Sequence, residues 1–163
     1  MIFVTVGTHE QPFNRLVKKM DLIAKDLNEK VIIQSGYSTY MPKYATFKKF
    51  MDYENIKKNY NNARIIITHG GPSSFLDAIQ LGKIPIVVPR QKKYGEHINN
   101  HQVEFCKKVQ KKDKNIIVLL DEGKLESTIA NYGKIIDDMS LSGYSNNDKF
   151  LEKFEIIVRN LFS

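Results

Sequence analysis

An α/β domain on a parallel sheet, with helices on both faces, is what this sequence predicts, and three observations carry it. Five short runs, residues 2–6, 30–34, 64–68, 84–88 and 116–120, are apolar and rich in β-branched side chains, as strands buried on both faces of a parallel sheet are. Between them lie stretches whose apolar residues recur at three- and four-residue steps, the period of an amphipathic helix. The stretch 64–102 joins both patterns: a strand, the turn His69-Gly70-Gly71-Pro72, a helix and a second strand. Such a βαβ unit carries its ligand at the carboxyl ends of the strands.

The chain has 163 residues, 42% of them hydrophobic, enough for one full core and one domain. Its single cysteine, Cys106, excludes an internal disulfide framework and a thiolate zinc site, and points to a reducing cytosol. No run approaches the ~20 apolar residues that span a bilayer, and the opening lacks the basic region of a signal peptide, so a soluble, cytoplasmic chain is expected. A formal charge of +7 calls for an anionic partner. The lysines are spread in pairs such as Lys18-Lys19, Lys48-Lys49 and Lys92-Lys93, and no nucleic-acid reader motif accompanies them, so no nucleic acid is expected.

Taken in order, residues 2–6 form a strand, Gly7 to Phe13 a turn, and Pro12 starts a helix that carries Phe13, Leu16, Val17, Met20, Ile23, Ala24 and Leu27 to Asn28. Residues 30–34 are the next strand, closed by Gly36. Tyr37 to Tyr44 is a polar, aromatic loop whose tyrosines either cover the sheet edge or form a binding lip. Residues 45–51 read as a short strand, and Asp52 as the N-cap of a helix to about Asn61. In the central unit Ser73 or Ser74 is the expected N-cap, and Gly82 ends the helix. After Pro89 a loop through Glu96 leads to a helix from about His97 to Lys111. Asp121 caps a helix to about Met139. Residues 140–147 are a linker, and a final helix over 148–161 carries Phe150, Leu151, Phe154, Ile157, Val158 and Leu161. The domain is thus 1–139, with 148–163 packing on it or on a partner.

Two glycines before a Ser-Ser helix start favour an anion, because backbone N–H groups and the positive end of the helix dipole face it there. His69-Gly70-Gly71, Ser73-Ser74, Asp77-Ala78, Leu81-Gly82, Pro85, Val88-Pro89 and Asn100-His101-Gln102 occur in an order that resembles the nucleotide-sugar-binding half of GT-B glycosyltransferases, which is Rossmann-like. The likeness is to the family 28 C-terminal domain, in the split, Alg13-like form, whose chains open as Phe3-Val4-Thr5-Val6-Gly7-Thr8 does. It covers nearly the whole chain.

The resemblance implies a donor-binding catalytic subunit that transfers a hexose from a UDP-sugar, UDP-galactose, UDP-glucuronic acid or UDP-GlcNAc, to an undecaprenyl-diphosphate-linked saccharide in exopolysaccharide or capsule biosynthesis. Its partner would be an Alg14-like, membrane-anchored, acceptor-binding chain, which recruits it to the inner face of the cell membrane. No cofactor and no metal are implied, in keeping with the lack of an Asp-x-Asp pair after a strand. The alternative is a non-catalytic nucleotide-binding module or accessory subunit.

Position by position, Gly7 and Thr8 match the phosphate turn and Met51 the residue whose backbone meets uracil. Gly70, Gly71, Pro72, Ser73 and Ser74 match the diphosphate loop and helix start. Asp77 replaces the family's ribose-binding glutamate, and Glu96, Asn100 and Gln102 match the sugar region. The candidates for catalysis are His9, His69 and Glu96, although the presumed base of the fused family lies in the acceptor half. Each has a plainer role beside it: Gly70-Gly71 a tight turn, Asp77 a surface acid, Glu96 and His97 the cap of the next helix, His69 a structural histidine.

Overall fold

The computed structural model describes residues 1–141 and 147–162, without side chains at 141, 147–151 and 161–162. Its sheet is wholly parallel, of strands β1 (Ile2–Thr5), β2 (Val31–Gln34), β3 (Thr46–Lys48), β4 (Ile65–His69), β5 (Ile86–Val88) and β6 (Ile117–Val118), in the order β3-β2-β1-β4-β5-β6. The order reverses between β1 and β4, which makes their carboxyl ends the switch point where α/β sheets hold ligands. The connecting helices are α1 (Asn14–Asp26), α2 (Tyr53–Asn62), α3 (Pro72–Gln80), α4 (His101–Asp113), α5 (Leu125–Ala130), α6 (Tyr132–Leu141) and α7 (Asn147–Phe162).

Alternation along the strands sorts these helices onto two faces. Ile2, Val4, Ile65, Ile67, Ile86 and Val88 bury against Leu16, Val17 and Met20 of α1 and Leu125 and Ile129 of α5. On the other face Phe3 and Ile66 meet Tyr60 of α2 and Ala78 of α3, and Val87 meets Phe75, Ile79, Cys106 and Val109. The continuous apolar runs are continuous because both faces are covered.

Several expected boundaries move, each for a local reason. Pro12 does not start α1; the helix opens at Asn14, and the N–H of Phe13 goes to Ser38 Oγ at 3.1 Å. Asp52 does cap α2, accepting from Asn55 N at 2.8 Å. Neither Ser73 nor Ser74 caps α3. Gly71 occupies the cap position and Pro72 the first helical one, where its missing N–H costs nothing. The next helix starts at His101 rather than His97, after a 3₁₀ turn at Lys92–Tyr94, because Glu96 is drawn into the interior. Asp121 caps only a 3₁₀ turn, through Gly123 N at 2.8 Å, and the helix expected to run to Met139 is broken at Asn131 into α5 and α6.

Of the expected linker, Ser140 and Leu141 belong to α6 and Asn147 opens α7; 142–146 lie outside the described residues. The final helix docks on its own domain. Phe154 is buried, with ring centroids 6.0 Å from Phe75 and 5.7 Å from Phe105, and Val158 packs beside it, whereas Ile157 stays 41% exposed. The side chains of Phe150, Leu151 and Leu161 lie outside the described ones.

The 37–45 loop is fixed by one buried carboxylate. Asp21 accepts from the N–H groups of Lys43, Tyr44 and Ala45 and from the Tyr40 hydroxyl, at 2.8–3.1 Å. Burial pushes its pKa up, but those donors together outweigh burial and hold it below the usual value. Asp21→Ala strips three backbone donors of their acceptor and is expected to cost about 2–4 kcal/mol of unfolding free energy. Since the folded pKa is depressed, the Asp21 contribution is complete above the ordinary aspartate value near ~4 and is lost as pH falls through the folded value. Urea midpoints of wild type and variant should therefore converge at low pH.

Candidate functional site

Two glycine turns meet around one histidine at the switch point. Gly7 follows β1 with φ +74°, and His69 ends β4. A Cβ on Gly7 or on Gly71 would fall within the His69 ring, so both turns need glycine for the imidazole to fit between them. Gly7 and Gly71 are thereby brought together across the reversal in strand order.

The ring is held by both nitrogens. Nδ1 accepts the Gly71 N–H at 3.1 Å, which places the proton of the neutral ring on Nε2, 3.1 Å from Ser74 Oγ. Burial, then the charge of Arg90 and the nearby His9, push the His69 pKa down to about 3. His69 is therefore neutral at physiological pH and engaged at both nitrogens, an arrangement for orienting Ser74 rather than for taking a proton. With Nε2–H donated to it, the Ser74 hydroxyl keeps its own hydrogen for another acceptor.

Beside this turn opens a cavity of about 520 Å³ between α3 and α4, lined by Gly70, Pro72, His97, Gln102, Phe105 and Lys108 among others. That size suits a small-molecule ligand. His9 and His97 stack near it, ring centroids 4.6 Å apart, and His9 Nε2 meets Gln11 Oε1 at 2.9 Å. Burial lowers the pKa of His97, with His9 and Arg90 adding to the effect. The first turn of α3 divides the region: Pro72 faces this cavity, while Ser73 and Asp77 line a separate groove with Leu76, Phe154 and Arg159. Asp77 is thus on the α7 side of α3.

The remaining sequence candidates are engaged within the protein to different degrees. Gln102 Oε1 accepts from Gly70 N at 3.2 Å and Arg90 N at 3.0 Å, pinning the ends of β4 and β5 together. Met51 N donates to Gln34 Oε1 at 3.0 Å, so that N–H is already used. Asn100 is exposed and accepts from Lys92 N at 2.9 Å; Thr8 is exposed at the mouth. Glu96 neither caps α4 nor points freely outward. Its carboxylate receives Arg15 at 2.8 and 3.0 Å and Gln91 N at 3.0 Å.

Sequence reasoning missed the residues that hold these loops. Arg90 is wholly buried and donates to the carbonyls of Gln11 at 2.7 Å, Val6 at 2.8 Å and Glu96 at 3.1 Å. Burial pushes its pKa down to about 10. Arg15 joins Glu96 to Glu122, 3.0 Å away. The only signal was that Arg15 and Arg90 are two of just four arginines in a lysine-rich chain, since Arg is preferred for planar, buried pairing. Among the described residues no group of His, Cys, Asp or Glu side chains is arranged to hold a metal, and no helix is long and apolar enough to cross a membrane.

Comparison with known proteins places this geometry. The glycosyltransferase family 28 C-terminal domain matches residues 1–161. The chain is 28% identical over 158 residues to the human UDP-N-acetylglucosamine transferase subunit ALG13, covering 86% of this chain and 13% of that protein. The mouse subunit of the same name is 30% identical over 122 residues, covering 67% and 10%. The chain thus spans only a small part of the curated relatives it matches. Similar solved structures are the glycotransferase of kitacinnamycin (TM-score 0.60, 12% identity, 94% of this chain and 42% of that one) and MurG of Acinetobacter baumannii (0.56, 13%, 93% and 49%). The calicheamicin glycosyltransferase CalG4 gives 0.59 at 12% identity, over 98% and 43%. These show the fold: the Rossmann-like sheet is that of GT-B glycosyltransferases.

Glu96→Ala tests whether this carboxylate is structural. Removing Glu96 leaves Arg15 with the more exposed Glu122 as its remaining carboxylate and strips Gln91 N of its acceptor, and a loss of about 2–3 kcal/mol in unfolding free energy is expected. Adding Arg15→Met should cost clearly less than the sum of the single changes. A thermal melt unchanged by Glu96→Ala would return the residue to the list of free site groups.

Proposed function

We propose, because this chain belongs to the glycosyltransferase family 28 C-terminal domain family, that it is the donor-binding catalytic subunit of a two-chain glycosyltransferase. It takes a hexose from a UDP-sugar, with UDP-galactose, UDP-glucuronic acid and UDP-GlcNAc as the candidate donors. The acceptor is a saccharide on undecaprenyl diphosphate, within exopolysaccharide or capsule biosynthesis. The observation that carries the reading is the junction of the Gly7 and Gly70–Gly71 turns around neutral His69, at the N-terminus of α3 and beside a ligand-sized cavity.

The chemistry follows from that junction. In transfer, the bond from the anomeric carbon to the diphosphate oxygen breaks, and negative charge grows on the departing UDP. The α3 dipole and the Ser74 hydroxyl, held by His69, meet that charge already oriented, and one such donor is worth roughly 3–4 kcal/mol of barrier. Dipole and N–H donors do the work of a bound cation, so transfer proceeds without a metal and persists in EDTA. Thr8 contacts phosphate and Asn100 the sugar, and Asp77 meets the ribose from its own groove on the α7 side of α3, with the diphosphate over the helix N-terminus between groove and cavity. Both nitrogens of His69 and both oxygens of Glu96 are engaged, which leaves His9 as the one candidate on this chain; the base that deprotonates the acceptor is assigned to the second chain, as the presumed base of the fused family lies in the acceptor half. That chain is Alg14-like, binds the lipid-linked acceptor and recruits this one to the inner face of the cell membrane.

Nucleotide linkage tests the donor half alone. UDP at about a hundredfold excess over its Kd should contribute about 2.7 kcal/mol and raise Tm by roughly 5–10 °C, while AMP, NAD and single-stranded RNA leave it unchanged. Ser74→Ala should weaken the UDP shift without lowering the Tm of the free protein by more than about 1 kcal/mol equivalent. Equal stabilisation by unrelated polyanions would mean a general basic surface, and UDP binding without transfer by the reconstituted pair would mean an accessory subunit.

A further inference from the structure

The corner of the sheet beyond the nucleotide turn carries a surface that the donor-site reading does not use. There, at the carboxyl ends of the edge strand β3 and its neighbour β2, large apolar side chains point into solvent: Tyr37 is 51% exposed, Met41 60%, Phe50 46% and Tyr53 74%. Tyr37 and Phe50 meet edge to face, ring centroids 5.1 Å apart, and with Met41 and the stem of Lys49 they line a cleft of about 330 Å³.

This is a built surface rather than a frayed loop. Asn14 Oδ1 accepts from Thr39 N at 2.8 Å and Tyr40 N at 3.0 Å, Ser38 Oγ accepts from Phe13 N, and Asp21 holds residues 40–45. Ser35 N and Gly36 N bond the carbonyls of Lys48 and Lys49, which ties the two loops together behind the exposed rings. Fixing backbone to hold apolar groups in water costs free energy twice, and that arrangement marks an interaction surface.

Charge selects the partner. Lys49 lines the cleft with Phe50 and Lys48 stands two residues before Phe50, both exposed; the nearest carboxylate, Asp52, caps α2 through Asn55 and meets the charge of Lys48, which leaves two ammonium groups to one carboxylate at this corner. Lysines are depleted from the centres of protein–protein interfaces. They are favoured where aromatic rings enter the headgroup layer of an anionic bilayer and the ammonium groups stay at the phosphates. We propose that Tyr37, Met41 and Phe50, with Lys48 and Lys49, form a direct docking surface for an anionic phospholipid membrane. The patch lies on the same side of the sheet as the Gly7 and Gly71 turns, so docking turns the mouth of the site towards the bilayer. It stands independently of any UDP-sugar activity.

Vesicle sedimentation with the full chain tests this. Wild type should bind vesicles of phosphatidylcholine mixed with phosphatidylglycerol, release as salt is raised, and ignore pure phosphatidylcholine. The double change Lys48→Gln, Lys49→Gln should weaken partitioning roughly thirtyfold, each lysine near such a surface being worth about 1 kcal/mol. Met41→Ser with Phe50→Ser should abolish partitioning, with the Tm of the free protein unchanged in either variant as a check on folding. Absence of binding to the anionic vesicles, or binding that the lysine change leaves intact, overturns the proposal. So does binding that appears only with the acceptor chain present and is lost through that chain, because the surface would then be a protein interface.

Discussion

Two buried guanidinium groups hold the carboxyl edge of this sheet together. Arg90 has no exposed surface, and its charge is tolerated only because three backbone carbonyls, from the end of β1, from the turn after it and from the segment after β5, converge on it. Arg15 spans the next gap, from α1 to Glu96 and Glu122, with weaker reach to the carbonyls of Pro89 and Leu120 at 3.4 Å. Between them lies the ring of Phe13, 5.0 Å from Arg90 Cζ and 5.3 Å from Arg15 Cζ. Loops that are far apart in sequence become one rigid rim, and rigid dipoles lose nothing to reorganisation when charge develops on a ligand.

Burial first, and then the charge of the same clamp, keep His69 neutral. A buried cation beside an imidazole, in a space already desolvated, makes a second positive charge unfavourable, and the Gly71 N–H then fixes the tautomer. Because Gly7 and Gly71 leave room for the ring on either side, a methyl at either position would push His69 off Ser74. Glycine is required there for close approach as much as for turning.

What was legible in the sequence follows the range of each interaction. Strands 2–5 and 65–69 announce themselves through local composition, Asp52 through a cap three residues long, and the Gly-Gly turn through its place between a strand and a helix. Arg15 and Arg90 gave no such sign, because their partners lie 81 and 84 residues away and nothing periodic links them. The α4 boundary was misjudged for the same reason: Glu96 looks like a helix-opening acid until Arg15 is opposite it. Gln34 is read as an ordinary strand end, yet it spans Thr5 Oγ1 at 3.1 Å and Met51 N at 3.0 Å, and so fixes the backbone at the position matched to uracil. The break at Asn131 has only Gly133 beside it as a local sign, and tertiary packing, with Tyr132 donating to the Ile84 carbonyl at 2.7 Å, fixes the chain there.

The terminal helix is coupled to the site by adjacency along α3. Ser74 receives the His69 N–H, and the next residue, Phe75, is the ring on which Phe154 of α7 rests. Phe105 of α4 completes the aromatic cluster and also lines the cavity beside Gly70. Whatever fixes α7 therefore fixes the first turn of α3 and one wall of the cavity together, through contacts too tightly packed to deform gradually. Ile157 stays 41% exposed on the outer face of α7, with Phe154 buried beneath the helix, so the coupling runs through the inner face alone.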